Sequence, residues 1–156
     1  MKSIILLFVF SFSFLNYSID KGSYYNALKS KSVTDLDKMI LLIEKEKITP
    51  LNQAYKGTLV AKKAGFEKKA AAKIKLFKAG VVLLEAEISK SPKNVEYRFL
   101  RLTIQENAPK ILKYNKNIKE DIAIITKGYS TLKTGLKKII IDYSNNSTVL
   151  NSSDLK

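Results

Sequence analysis

The stretch from Lys68 to Asn94, KKAAAKIKLFKAGVVLLEAEISKSPKN, decides the fold class. Ala70, Ile74, Phe77, Val81, Leu84 and Ile88 recur at alternating steps of four and three residues. That spacing places apolar side chains on one face of an α-helix and makes a packing seam. A long helix is therefore predicted over about 68–89. Ser91-Pro92-Lys93-Asn94 ends it, because Pro92 cannot continue the hydrogen-bond ladder and Asn94 can cap the helix that follows.

Downstream, Val95 to Asn107 is apolar on two sides. Val95, Phe99 and Leu102 form one face, and Tyr97, Leu100 and Ile104 the other. Between them Arg98, Arg101 and Gln105 make a polar stripe. Asn107-Ala108-Pro109 breaks the chain, and two more amphipathic helices follow. One carries Ile118, Ile122, Ile125 and Tyr129; the other carries Leu132, Leu136, Ile139 and Tyr143. Upstream, Tyr24 to Lys29 is a short first helix. Ser32-Val33-Thr34-Asp35 starts a second, with Leu36, Met39, Ile40 and Ile43 on its stripe. Thr49-Pro50 starts a third, reaching about Phe66, with Thr49 as N-cap and Pro50 at the first helical position. Its small residues, Gly57, Ala61 and Ala64, let a neighbour approach closely, so this helix is expected to be sandwiched between two others. No sustained apolar–polar alternation appears, and no strand is predicted. The fold class is all-α. Phe77, Val81, Leu84, Phe99 and Leu102 are expected to be largely buried.

Composition narrows the chemistry. The chain has 156 residues, a one-domain length, and is 46% hydrophobic. It contains no Cys, His or Trp, which leaves no thiolate nucleophile, no imidazole base and no zinc site of the usual kind. No catalysis, cofactor or metal is expected. The formal charge is +14, from 28 Lys+Arg against 14 Asp+Glu. Only Arg98 and Arg101 are arginine, whereas bidentate phosphate recognition favours Arg. The lysine excess is read as a solvated surface, in a chain whose Ile and Asn content suits an AT-rich genome.

Met1-Lys2-Ser3 precedes the apolar run Ile4 to Leu15. One cation, a run too short for a comfortable bilayer span, and small or polar residues after it make a secretory signal pattern. The expected organisation is a signal peptide over 1–18, cleaved near Ser18 or, in the alternative, retained as an uncleaved N-terminal anchor, an all-helical domain over 19–144 and a flexible Asn/Ser-rich tail over 145–156. Export, with the periplasm as destination, removes nucleic acid from the expected partners.

Paired helices, Ala54-Tyr55-Lys56-Gly57 in one and Gly80, Leu84 and Ser91-Pro92-Lys93-Asn94 in the next, resemble tetratricopeptide repeats over about 50–105. Glu87 stands where that repeat usually has Ala. Arg98 to Pro109 and Tyr114 to Ile118 are similar to a family of short exported bacterial helical proteins with no assigned function. The resemblance implies antiparallel helical hairpins stacked in a TPR-like array or a small bundle.

The candidate ligand- or partner-binding residues are Arg98, Arg101 and Gln105, expected to line a shallow groove beside Asn107-Ala108-Pro109. Arg suits an anionic group; the alternatives are internal ion pairs with Glu67, Glu96 or Glu106, or a solvated edge. Lys56, Lys63, Lys69 and Lys73 form the candidate basic surface. Their helix-turn-helix also holds Lys62, Lys68, Lys75 and Lys78, with only Glu67 in opposition. Lys62 shares a face with Leu51, Tyr55 and Phe66. It is either a functional amine of lowered pKa, with Tyr55 beside it, or a stem that snorkels to a carboxylate. Glu85 and Glu87 are two apart on a helix, do not face each other, and are rejected as a glycosidase pair. Asn146-Ser147-Thr148 and Asn151-Ser152-Ser153 match a glycosylation pattern by chance. The expected function is a non-catalytic exported binding or scaffold protein of the bacterial cell envelope, presenting a groove to a protein or peptide. The alternative is a basic adaptor held electrostatically on anionic membrane or polysaccharide.

Overall fold

Local capping sets most helix starts. The computed structural model describes residues 19–155, so the export segment read over 1–18 lies outside the described residues. Among the described residues there are seven α-helices and no strand. Helix α1 spans Lys21–Lys29 and starts on Asp20, whose carboxylate accepts from the Ser23 N–H at 2.7 Å. Helix α2 spans Val33–Lys45 and is capped by Ser32. Helix α3, Pro50–Lys63, is capped by Thr49, which accepts from the Asn52 N–H at 3.1 Å. Helix α4 runs over Ala70–Lys90. Helix α5, Val95–Asn107, is capped by Asn94, which accepts from the Tyr97 N–H at 3.2 Å. Helices α6, Ile118–Gly128, and α7, Thr134–Ser144, complete the set. Two predicted ends shift. Asp20 starts α1 three residues earlier than its apolar pattern suggested, and the last turn of α3 tightens to a 3-10 turn at Ala64–Phe66.

Small residues bring α3 and α4 together. A Cβ added at Gly57 would lie 2.7 Å from the Gly80 carbonyl oxygen and 2.8 Å from the Leu84 nitrogen. One added at Gly80 would fall against the backbone of Ala61. The two glycines thus permit a backbone-to-backbone crossing that any side chain would block. Gly57 meets Leu84 while Gly80 meets Ala61, so the helices run antiparallel. The same logic orients α2 against α3, where Asp37 pairs with Lys63 and Glu44 with Lys56. It also orients α6 against α5, where Asp121 meets Arg101 and Asn117 meets Gln105.

Helix α5 is the centre of the molecule: every residue from Tyr97 to Gln105 is buried. Phe77, Leu84, Phe99 and Leu102 are buried as expected, and Val81 is half-buried at the edge of its stripe. On α7 the most buried residue is Ile140, one position beyond the predicted Ile139. An aromatic cluster anchors α1. The Tyr24 and Tyr55 rings stack at 3.6 Å, and the Glu96 carboxylate of α5 accepts from Tyr55 at 2.6 Å and from Lys21 at 2.6 Å.

The tail expected to be flexible is docked over residues 145–155. Leu150 is fully buried and Leu155 nearly so. Glu106 of α5 accepts from Ser147 Oγ at 2.8 Å, from the Thr148 hydroxyl at 2.9 Å and N–H at 2.5 Å, and from the Tyr143 hydroxyl. Polar composition concealed two leucine anchors and a carboxylate that satisfies the segment's donors.

Candidate functional site

Polar stripes on helices α5 and α6 meet in the interior. Asp121 lies within the stripe Ile118, Ile122 and Ile125, a position that faces the core, and it has no solvent exposure. Its Oδ2 accepts from Arg101 Nε at 2.8 Å and Gln105 Nε2 at 2.6 Å. Its Oδ1 accepts from Arg101 Nη2 at 2.6 Å and Arg98 Nη1 at 3.1 Å. Arg98 also donates to the Pro92 carbonyl at 2.7 Å and pairs with Glu120 at 3.0 Å; Arg101 pairs with Glu85 at 2.9 Å. Burial works against the Arg101 charge, but the hydrogen bonds and charge of Asp121, then those of Glu85, outweigh it and raise its pKa.

This corrects the expected groove wall. Arg98, Arg101 and Gln105 are 4%, 4% and 3% exposed, with their donors committed inside the fold. They form a structural clamp of α6 onto α5. The counter-ion is Asp121 rather than Glu67, Glu96 or Glu106. The signal for it was present in the sequence: an acid at a core position of an apolar stripe requires a buried cation opposite.

The candidate basic surface also divides. Lys56 and Lys63 are paired with Glu44 and Asp37 of α2 at 2.7 and 2.6 Å. Lys69 is exposed at the start of α4, and Lys73 is half-buried on another wall. Lys62 is half-buried and donates to the Leu28 carbonyl at the C-terminal end of α1, not to a carboxylate. That oxygen is one of the acceptors a helix end leaves open, where a cation is favoured. Burial lowers the Lys62 pKa. Tyr55 donates its hydroxyl hydrogen bond to Glu96 and is not joined to Lys62. Glu85 and Glu87 diverge: Glu85 is bonded by Arg101 and Tyr114, while Glu87 is buried and held by Lys90 at 2.7 Å.

A cleft whose walls the sequence did not name opens where five helices converge. Its volume is about 330 Å³. The C-terminal ends of α1 and α3 contribute Leu28, Ala61 and Lys62; α4 contributes Lys73 and Phe77; α5 contributes Phe99, Thr103 and Ile104; α7 contributes Ile139 and Tyr143. No protein-family model, curated protein or solved structure matches this chain significantly. What the cleft accepts follows from its walls. The Phe99 ring meets Tyr143 edge-on at 5.2 Å within the wall, and Phe77 meets Tyr114 edge-on at 5.3 Å, so each aromatic side of the cleft is braced by a second ring. The cleft reaches Asn107, Ala108 and Pro109, the break beside which a groove was expected. The α5 face that forms it is Phe99, Thr103 and Ile104, not the arginine stripe. Among the described residues no cluster of three or more acidic side chains is arranged to hold a metal ion.

Proposed function

We propose that the protein is a non-catalytic helical binding protein of the bacterial cell envelope that seats a small apolar ligand in this cleft. The cleft itself carries the reading. It is a concavity of about 330 Å³ with braced aromatic and aliphatic walls, within the size range of small-molecule sites. The ligand scale replaces the broader protein or peptide groove because Arg98, Arg101 and Gln105, the intended wall of that groove, are buried. The signal pattern over 1–18 supports export to the periplasm. Antiparallel packing of α2, α3 and α4 supports stacked hairpins resembling tetratricopeptide repeats. The absence of His and Cys, and the commitment of the Tyr55 hydroxyl to Glu96, support a non-catalytic role.

The test is to fill the seat. Ile104→Trp, on the cleft wall, should abolish binding of a fluorescent apolar probe while the helical circular dichroism signal stays. Equal probe binding by both proteins would move the seat elsewhere. A second reading, adaptor to an anionic surface, draws on the exposed Lys68, Lys69, Lys75 and Lys78 around the start of α4. It predicts salt-sensitive sedimentation with phosphatidylglycerol vesicles.

A further inference from the structure

We infer that the ligand of the cleft is a single-chain anionic amphiphile, an alkyl chain of about ten carbons ending in a carboxylate, held through its head by Lys62 and Lys73. The inference rests on the cleft being the ligand seat.

Charge is distributed unevenly around α3, and that asymmetry points to the head group. On the side facing α2, Lys56 and Lys63 are each neutralised by an acid. On the cleft side, Lys29, Lys62 and Lys73 line the cavity, and among the described residues none of them forms an ion pair. An ammonium group has three donors. Lys62 Nζ is bonded by one neutral acceptor, the Leu28 carbonyl, which leaves donors for a carboxylate. Its half-buried position removes water that would otherwise screen the contact. No acidic side chain lines the cleft. Two acids are bonded to lining residues: Glu96, behind Tyr25, already accepts from Lys21, Tyr25 and Tyr55, and Glu106, behind Tyr143, already accepts from four donors. The site therefore favours an anion and disfavours a cation.

The rest of the wall sets the other end of the ligand. Phe77, Phe99 and Ile104 offer only carbon to the cavity. At about 30 Å³ per water-sized group, the volume of about 330 Å³ accommodates roughly ten to twelve methylene-sized groups. Each methylene buried should tighten binding about fourfold, until the chain outgrows the cleft.

Calorimetric titration of the protein with octanoate, decanoate and tetradecanoate as monomers, and with decanol and decyltrimethylammonium, tests the inference. Decanoate is expected to bind one per chain, roughly tenfold or more tighter than decanol, the scale of one charge-assisted hydrogen bond. Octanoate to decanoate should gain about fifteenfold, and tetradecanoate should gain nothing further. Lys62→Met should remove most of the preference for decanoate, and Lys62→Met with Lys73→Met should bring decanoate down to the level of decanol. Decanol or decyltrimethylammonium binding as tightly as decanoate would overturn the head-group assignment while leaving the cleft as a seat. Affinity that keeps rising through tetradecanoate would mean surface adsorption and overturn it as well. A Lys62→Met protein that keeps the preference for decanoate would take the carboxylate away from Lys62. Should that variant not fold, the comparison of head groups on the unaltered protein still decides. Binding of none of the five compounds would refute the cleft reading itself.

Discussion

Replacing Asp121 by alanine should be among the most damaging single changes to this fold. The side chain is fully buried and accepts four hydrogen bonds, at 2.6 to 3.1 Å, from Arg98, Arg101 and Gln105. At about 1.5–3 kcal/mol for each bond to a charged group, simple addition overshoots. Glu85 still holds Arg101 at 2.9 Å, Glu120 still holds Arg98 at 3.0 Å, and the Pro92 carbonyl still accepts from Arg98. What is lost is the buried counter-ion shared by both guanidiniums, for which about 3–5 kcal/mol is the expected cost. With a urea m-value of about 2 kcal/mol/M, the midpoint should fall by about 2 M in a melt followed by circular dichroism. Replacing the whole set at once, with Arg98→Met, Arg101→Leu, Gln105→Leu and Asp121→Leu, should be clearly more stable than Asp121→Ala alone, because no buried charge is left without its partner. A loss below about 1 kcal/mol for Asp121→Ala would put the cluster with exposed ion pairs and refute the clamp.

Three further outcomes are expected. Gly80→Ala should cost about 3 kcal/mol or more, because its Cβ meets the Ala61 backbone and overpacking outweighs the helix propensity gain of about 1 kcal/mol; Gly65→Ala, with nothing near its Cβ, should be close to neutral in the same melt. Leu84→Ala, at a position with no exposure, should cost about 2–5 kcal/mol by urea denaturation. Burial raises the Glu106 pKa, but hydrogen bonds from Tyr143, Thr148 and Ser147 outweigh it, so the folded value lies below 4.5. A carboxylate depressed in this way stabilises the fold above its unfolded pKa and loses that contribution as the pH falls through its folded pKa. Glu106→Gln should therefore flatten the acid side of the stability curve below about pH 4.5, and a curve as steep as that of the unaltered protein would show that Glu106 does not hold the tail.

Local rules carried much of the fold. Ser32, Thr49 and Asn94 each cap a helix by accepting from an N–H three residues ahead, and Pro50 and Pro92 act on their own backbone. Such effects need no knowledge of distant chain. The periodic stripe around Leu84 likewise announced burial, because a helix with one apolar face must cover it. Gly57 and Ala61 signalled that something would approach closely.

Choice among partners was left to the tertiary structure. Arg101 could have met Glu67, Glu96, Glu106 or water; it met Asp121, 20 residues on, because antiparallel docking of α6 on α5 brings the two polar stripes into register. Lys62 found a helix-end carbonyl 34 residues away, and Glu106 found the tail 41 and 42 residues away. The cleft is the furthest from sequence, since it is a space between five helices and belongs to none of them. The sequence by itself determined which residues form helices and which faces seek cover, because those effects act over one or two turns. Only the tertiary structure decided which charges cancel and where a hollow is left, because both depend on how helices distant along the chain cross.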